Sequence, residues 1–177
     1  MSGPKTQITN KERFFDEGEM IVTKTNKKGV LTYANDIFIN ISDYTEDELI
    51  GQQHNVIRHP HMPRTIFKLL WSTIESGHEI FAYVKNRCKD GDHYWVFAHV
   101  TPSFDDKGNI IGYHSNRRVP NRKVLDNVII PLYKKLLEEE QKQINPKEGI
   151  EAGMRMLNKM LEEKNMEYDE FIFSLLK

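Results

Sequence analysis

Apolar positions along this chain keep two different periods. In residues 79–87, 93–103 and 109–117, β-branched and aromatic residues alternate or run together, the pattern of strands. Lys89-Asp90-Gly91-Asp92 and Asp105-Asp106-Lys107-Gly108 separate them, and both suit tight turns. Consecutive hairpins make the three strands antiparallel. Residues 20–25 and 30–33 form a second pair around Asn26-Lys27-Lys28-Gly29. Tyr94, Val96, Ala98 and Val100 interleave with Trp95, Phe97, His99 and Thr101, so bulky groups fall on both parities. Both faces of the sheet are therefore predicted to be covered.

Elsewhere the period is helical. Ile37, Phe38 and Ile41 share one side of a short helix. Thr45-Glu46-Asp47-Glu48 matches a capping box ahead of Leu49 and Ile50, with Gly51 as the stop. Pro63 is placed at a first helical position, followed by Ile66, Phe67, Leu70, Trp71 and Ile74 on one stripe that ends near Gly77. Beyond Pro120, Leu125, Val128, Ile129, Leu132, Tyr133, Leu136 and Leu137 trace another stripe. Pro131 interrupts it and predicts a kink or break. Asn145-Pro146-Lys147-Glu148-Gly149 reads as a linker, and helices are expected over 150–164 and 168–176. Residues 1–17 read as a polar arm, with Phe14 and Phe15 as packing anchors.

Chemistry concentrates between these elements. Residues 53–63 carry His54, Arg58, His59 and His61, with Pro60 and Pro63. Proline fixes its own φ, removes a donor and pushes its predecessor towards extended geometry, so an ordered, non-helical connector is expected. Imidazole can ligate metal, hydrogen-bond or titrate near neutrality, and guanidinium suits phosphate or carboxylate.

Composition narrows the classes. The 177 residues fit one domain or a domain plus an appendage, and 38% hydrophobic content is enough for a core. A formal net charge of −1 argues against a nucleic-acid surface, although Arg117, Arg118, Arg122 and Lys123 form a local basic cluster. No apolar run reaches membrane-spanning length, and the first twenty residues lack the apolar centre of a secretory signal. The single cysteine, Cys88, has no internal disulfide partner, consistent with a cytoplasmic setting. No nucleophile elbow, phosphate-cradling glycine loop or catalytic metal spacing occurs, so an enzyme is not expected.

The order of two strands, short helices, a longer helix and a three-stranded meander resembles the PAS fold. Thr32-Tyr33-Ala34-Asn35-Asp36, and Ile41 to Gly51, are similar to the PAS core signature. His54-Asn55-Val56-Ile57-Arg58-His59-Pro60, Met62-Pro63, Val84-Lys85-Asn86-Arg87 and Lys89 to Val96 resemble the aerotaxis-receptor branch of that family. The resemblance implies an α+β fold: a five-stranded antiparallel sheet with helices on one face, here followed by a C-terminal helical extension. It places a sensor domain at 18–118, after the arm at 1–17 and before an extension at 119–177.

It further implies non-covalent FAD, with flavin contacts at Arg58, His59, Phe67, Trp71, Asn86 and Tyr94, and with His54 and His61 nearby. The expected role is a cytoplasmic redox or oxygen-linked energy sensor. Its partner would be a separate membrane chemoreceptor-type signalling protein, and a homodimer is also possible. Two positions depart from the branch, which usually has aspartate at His61 and often tryptophan at Ile80. Seven histidines keep a haem-binding gas sensor as an alternative, and a cofactor-free PAS adaptor is another. On residue chemistry alone, Phe67, Trp71 and Ile74 equally suit a helix core, and Arg58 a local carboxylate.

Overall fold

In the computed structural model, which describes residues 7–177, the strand-period stretches pair into one antiparallel sheet of order β2-β1-β5-β4-β3. The strands are β1 (Ile21–Asn26), β2 (Leu31–Ala34), β3 (Ile80–Arg87), β4 (His93–Phe104) and β5 (Ile110–Arg118). Each lies within a residue or two of the expected range. The hairpin turns set the β3–β4–β5 register, with Ala82 opposite Ala98 and Ala98 opposite Arg117. The first strand then joins the last, with Ile21 opposite Arg117 and Thr23 opposite Ser115.

One face lies beneath α1 (Asp36–Ser42), α2 (Glu46–Leu49) and α3 (Arg64–Glu75). Asn35 caps α1, and the Thr45–Glu48 capping box forms in full, each side chain bonding the other's backbone amide. The connector is not wholly non-helical: His54–Ile57 form one turn of 3-10 helix before Arg58 becomes extended. The prolines lie downstream of that turn, so nothing prevents it. Pro63 sits one place earlier than expected, as the N-cap of α3, with no side-chain cap of its own.

The other face is covered by the extension. A rod runs from α4 (Arg122–Val124) through a wide π-turn, Leu125–Ile129, into α5 (Ile130–Gln141). The expected kink at Pro131 is absorbed by that turn. The Ile130 amide donates to the Leu125 carbonyl, and Pro131 falls in the first turn of a fresh segment, where its missing donor is harmless. The Tyr133 hydroxyl donates to the Tyr83 carbonyl at 2.7 Å, its ring stands 6.1 Å from Trp95, and Phe173 of α7 (Tyr168–Ser174) meets Phe81 at 4.9 Å. Helices thus cover both faces, with those of the extension seated over β3 and β4.

The expected linker at Asn145–Gly149 is instead the start of α6 (Pro146–Lys164). The Asn145 side chain accepts from the Lys147 amide and Pro146 occupies the first turn, a start signal as valid as a turn signal. α6 packs closely on its neighbours: a Cβ on Gly149 would meet the Glu140 carbonyl oxygen at 2.6 Å, and one on Gly153 would collide with Thr65 Oγ1.

The arm is tied down along residues 9–13, its first six residues lying outside those described. Glu12 bridges to His93, and Arg13 pairs with Asp90 and with Asp92, the latter at 3.0 Å. Phe15 packs on the core, whereas Phe14 is exposed. Among the described residues no helix is long and apolar enough to cross a membrane.

Candidate functional site

A cavity of about 380 Å³ lies between α3, residues 53–58 and the sheet. Its helix wall is Phe67, Leu70, Trp71 and Ile74, the stripe that the helical period defines. The sheet wall takes mainly one parity from four strands, Val84 and Asn86, Ala98 and Val100, Tyr113, Ser115 and Arg117, Thr23 and Thr25, with His114 of the other parity also lining it. Lys27, Lys28 and Gly29, from the first hairpin turn, also line it. Gly29 has φ +76°, and a Cβ there would press within 2.9 Å of the Trp71 ring, so this turn needs glycine twice over. Trp71 meets Tyr113 edge-on at 5.5 Å.

Five of the eight expected site residues line this cavity: His54, Arg58, Phe67, Trp71 and Asn86. A single antiparallel bridge sets Arg58 against Asn86. The Arg58 guanidinium lies 3.9 Å over the Phe67 ring, a cation–π contact. Tyr94 is fully buried as the register partner of Asn86, but it does not line the cavity. Burial pushes its hydroxyl above the ordinary phenol range.

His59 and His61 are not brought to the cavity. Backbone alternation sends Arg58 inward and His59 to the opposite side. There His59 is wholly buried, accepts the His61 amide on Nδ1 at 3.1 Å, and meets the His61 and His93 rings edge-on at 5.0 and 5.6 Å. Burial, then the nearby Lys85 charge, hold its imidazole neutral, with a pKa pushed down to about 3. The His61 residue is exposed. Ile80 is buried against the core and does not line the cavity either. Among the described residues no group of three or more His, Cys, Asp or Glu side chains is arranged to hold a metal. Cys88 lies buried outside the cavity and donates to the Ile41 carbonyl.

The reading from sequence missed Arg117, which it grouped with surface cations. Arg117 is 3% exposed on the cavity floor and donates to Thr23 Oγ1 at 2.7 Å and His54 Nε2 at 2.5 Å. A guanidinium only donates, so His54 Nε2 accepts and its proton sits on Nδ1. Burial, then the Arg117 charge, push the His54 pKa down to about 3. Burial lowers Arg117 to about 10, still a cation at neutral pH. Arg58 Nε, Asn86 Nδ2, Ser115 Oγ and Arg117 Nη1 are buried without a hydrogen-bond partner among the described residues. The only sequence signal for Arg117 is its parity with Tyr113 and Ser115 on β5, which gains meaning once the strand register is known.

A strand order of 2-1-5-4-3, with a cavity between the sheet and a connecting helix, defines a PAS domain. Residues 31–117 match the PAS fold family, and the chain carries a PAS domain of the aerotaxis-receptor type. It is 38% identical over 130 residues to the aerotaxis receptor of Escherichia coli (strain K12), a match covering 73% of this chain and 25% of that receptor. It is 27% identical over 135 residues to sporulation kinase C of Bacillus subtilis (strain 168), covering 75% of this chain and 31% of the kinase. The chain thus spans between a quarter and a third of the length of these relatives. Among solved structures, the dark structure of the blue-light photoreceptor Aureochrome1 LOV is similar in fold. It has a TM-score of 0.53 at 24% identity, covering 69% of this chain and 84% of that one.

Proposed function

We propose that the cavity binds FAD non-covalently and that the protein reports redox or oxygen-linked energy status, in the cytoplasm, to a separate membrane chemoreceptor-type signalling protein. One observation carries the reading: an aromatic-walled cavity, with buried donors unpaired among the described residues, lies in a chain 38% identical over 130 residues to an aerotaxis receptor. The residues fit the group. Phe67 and Trp71 offer flat walls for a ring, and Asn86 and Ser115 offer polar atoms to its edge. Arg58, with Lys27 and Lys28, supplies cations suited to a diphosphate. FAD would supply reversible electron transfer. His59 and His61 would act from behind the segment, holding Arg58 in place.

α3 makes the relay physically reasonable. It walls the cavity, and its first turn is held by Glu140 of α5: the Arg64 and Thr65 amides and the Thr65 hydroxyl donate to that carboxylate at 3.1, 2.8 and 2.7 Å.

The absorption spectrum of the purified full chain tests the cofactor. Flavin bands are expected, and heat-released cofactor should be FAD. Arg58→Ala and Trp71→Ala should each weaken FAD binding about tenfold, on the order of 1.5 kcal/mol for a lost charge-assisted bond or aromatic stack. A Soret band, or a colourless protein that takes up no added FAD, would overturn the reading.

A further inference from the structure

Arg117 is a buried cation whose polar contacts among the described residues are neutral: a threonine hydroxyl and an uncharged imidazole. The Phe38 ring, 5.5 Å from its guanidinium carbon, is neutral too. Burying a charge without a counter-charge is costly. Among the described residues the positive charge has no carboxylate partner. Its Nη1 is buried and has no hydrogen-bond partner among the described residues, and Arg117 lines the cavity.

We infer that Arg117 is the charge-selecting residue of the cavity, favouring the form of its ligand that carries negative charge at the buried end. This rests on the flavin reading and deepens it. Two electrons from a dithionite-class reductant and one proton from solvent convert the neutral oxidised ring to a reduced ring with one net negative charge. Arg117 pairs with that charge and so favours the reduced over the oxidised cofactor. His54 and Thr23 position the guanidinium, and His54 stays neutral because a second cation there would oppose Arg117.

Redox titration of the FAD-loaded full chain tests this, comparing wild type with Arg117→Gln and Arg117→Lys. In Arg117→Gln the preference for reduced over oxidised flavin should fall about tenfold, a two-electron potential about 30 mV lower. Arg117→Lys should stay close to wild type. An unchanged potential in flavin-loaded Arg117→Gln overturns the inference and leaves the flavin reading intact. Should Arg117→Gln fail to fold or to retain flavin, wild type alone decides. Fully reduced in mildly acidic buffer, it should show the absorption of anionic reduced flavin, and the neutral reduced form overturns the inference. A wild type that binds no flavin overturns both readings, and its lack of colour identifies that case.

Discussion

His54 and His59 show how burial sets the charge state of individual residues. Each has a pKa near 3 in the fold, against an ordinary value of about 6.5. Between those values the unfolded chain binds more protons than the folded one. The stabilisation is therefore complete above about pH 6.5 and lost as pH falls towards 3. His93 and His114 are also shifted down, first by burial, and add in the same direction. Urea denaturation at pH 7 and pH 5 should show a loss of about 1–2 kcal/mol per buried histidine. His59→Gln should remove one such share, and an unchanged pH dependence in that variant would contradict the assignment. The same residues mark how far the site was legible. Motif resemblance singles out Arg58, Phe67, Trp71 and Asn86, which the fold brings to one cavity, whereas the orientation of His59 depends on a bridge to β3. Arg117 lay hidden in an apparently superficial basic cluster.

Helix α3 depends on a cap that no local pattern announces. Pro63 offers no side-chain acceptor, so the first amides of α3 are satisfied by Glu140, more than seventy residues away. Glu140→Ala should cost about 1–2 kcal/mol, the usual effect of losing a helix cap, measured by equilibrium denaturation. Gly153→Ala should cost about 1–3 kcal/mol through overpacking, because its new methyl would collide with Thr65 Oγ1. If both variants were as stable as wild type, the α5–α6 hairpin would not be seated on α3 in solution. Where element boundaries missed, two local codes competed. Asn145-Pro146 serves both turns and helix starts, and Pro131 both breaks a helix and begins one. Packing chose between them.

Across the whole molecule, α3, like β3 and β4, touches both the cavity and the extension. On the proposed reading, reduction shifts α3 and through Glu140 the α5–α6 hairpin. A ligand moves such an equilibrium only by its different affinity for two arrangements. Hydrogen exchange of the FAD-loaded protein should therefore differ between oxidised and reduced forms in α3, α5 and α6. Identical protection throughout residues 119–177 would rule out this route.

By itself the sequence determined what depends on near neighbours. Strand and helix periods, the Thr45–Glu48 capping box and the glycine turns are local, and they survive folding almost unchanged. Only the tertiary structure decided what joins distant segments. The β1–β5 pairing chose which parity of β5 faces inward and so carried Arg117 to the cavity floor. The bridge from Arg58 to Asn86 turned His59 away. The return of α5 brought Glu140 to the start of α3. Each is a contact between residues far apart in the chain, and their sequence positions alone do not encode the register in which they meet.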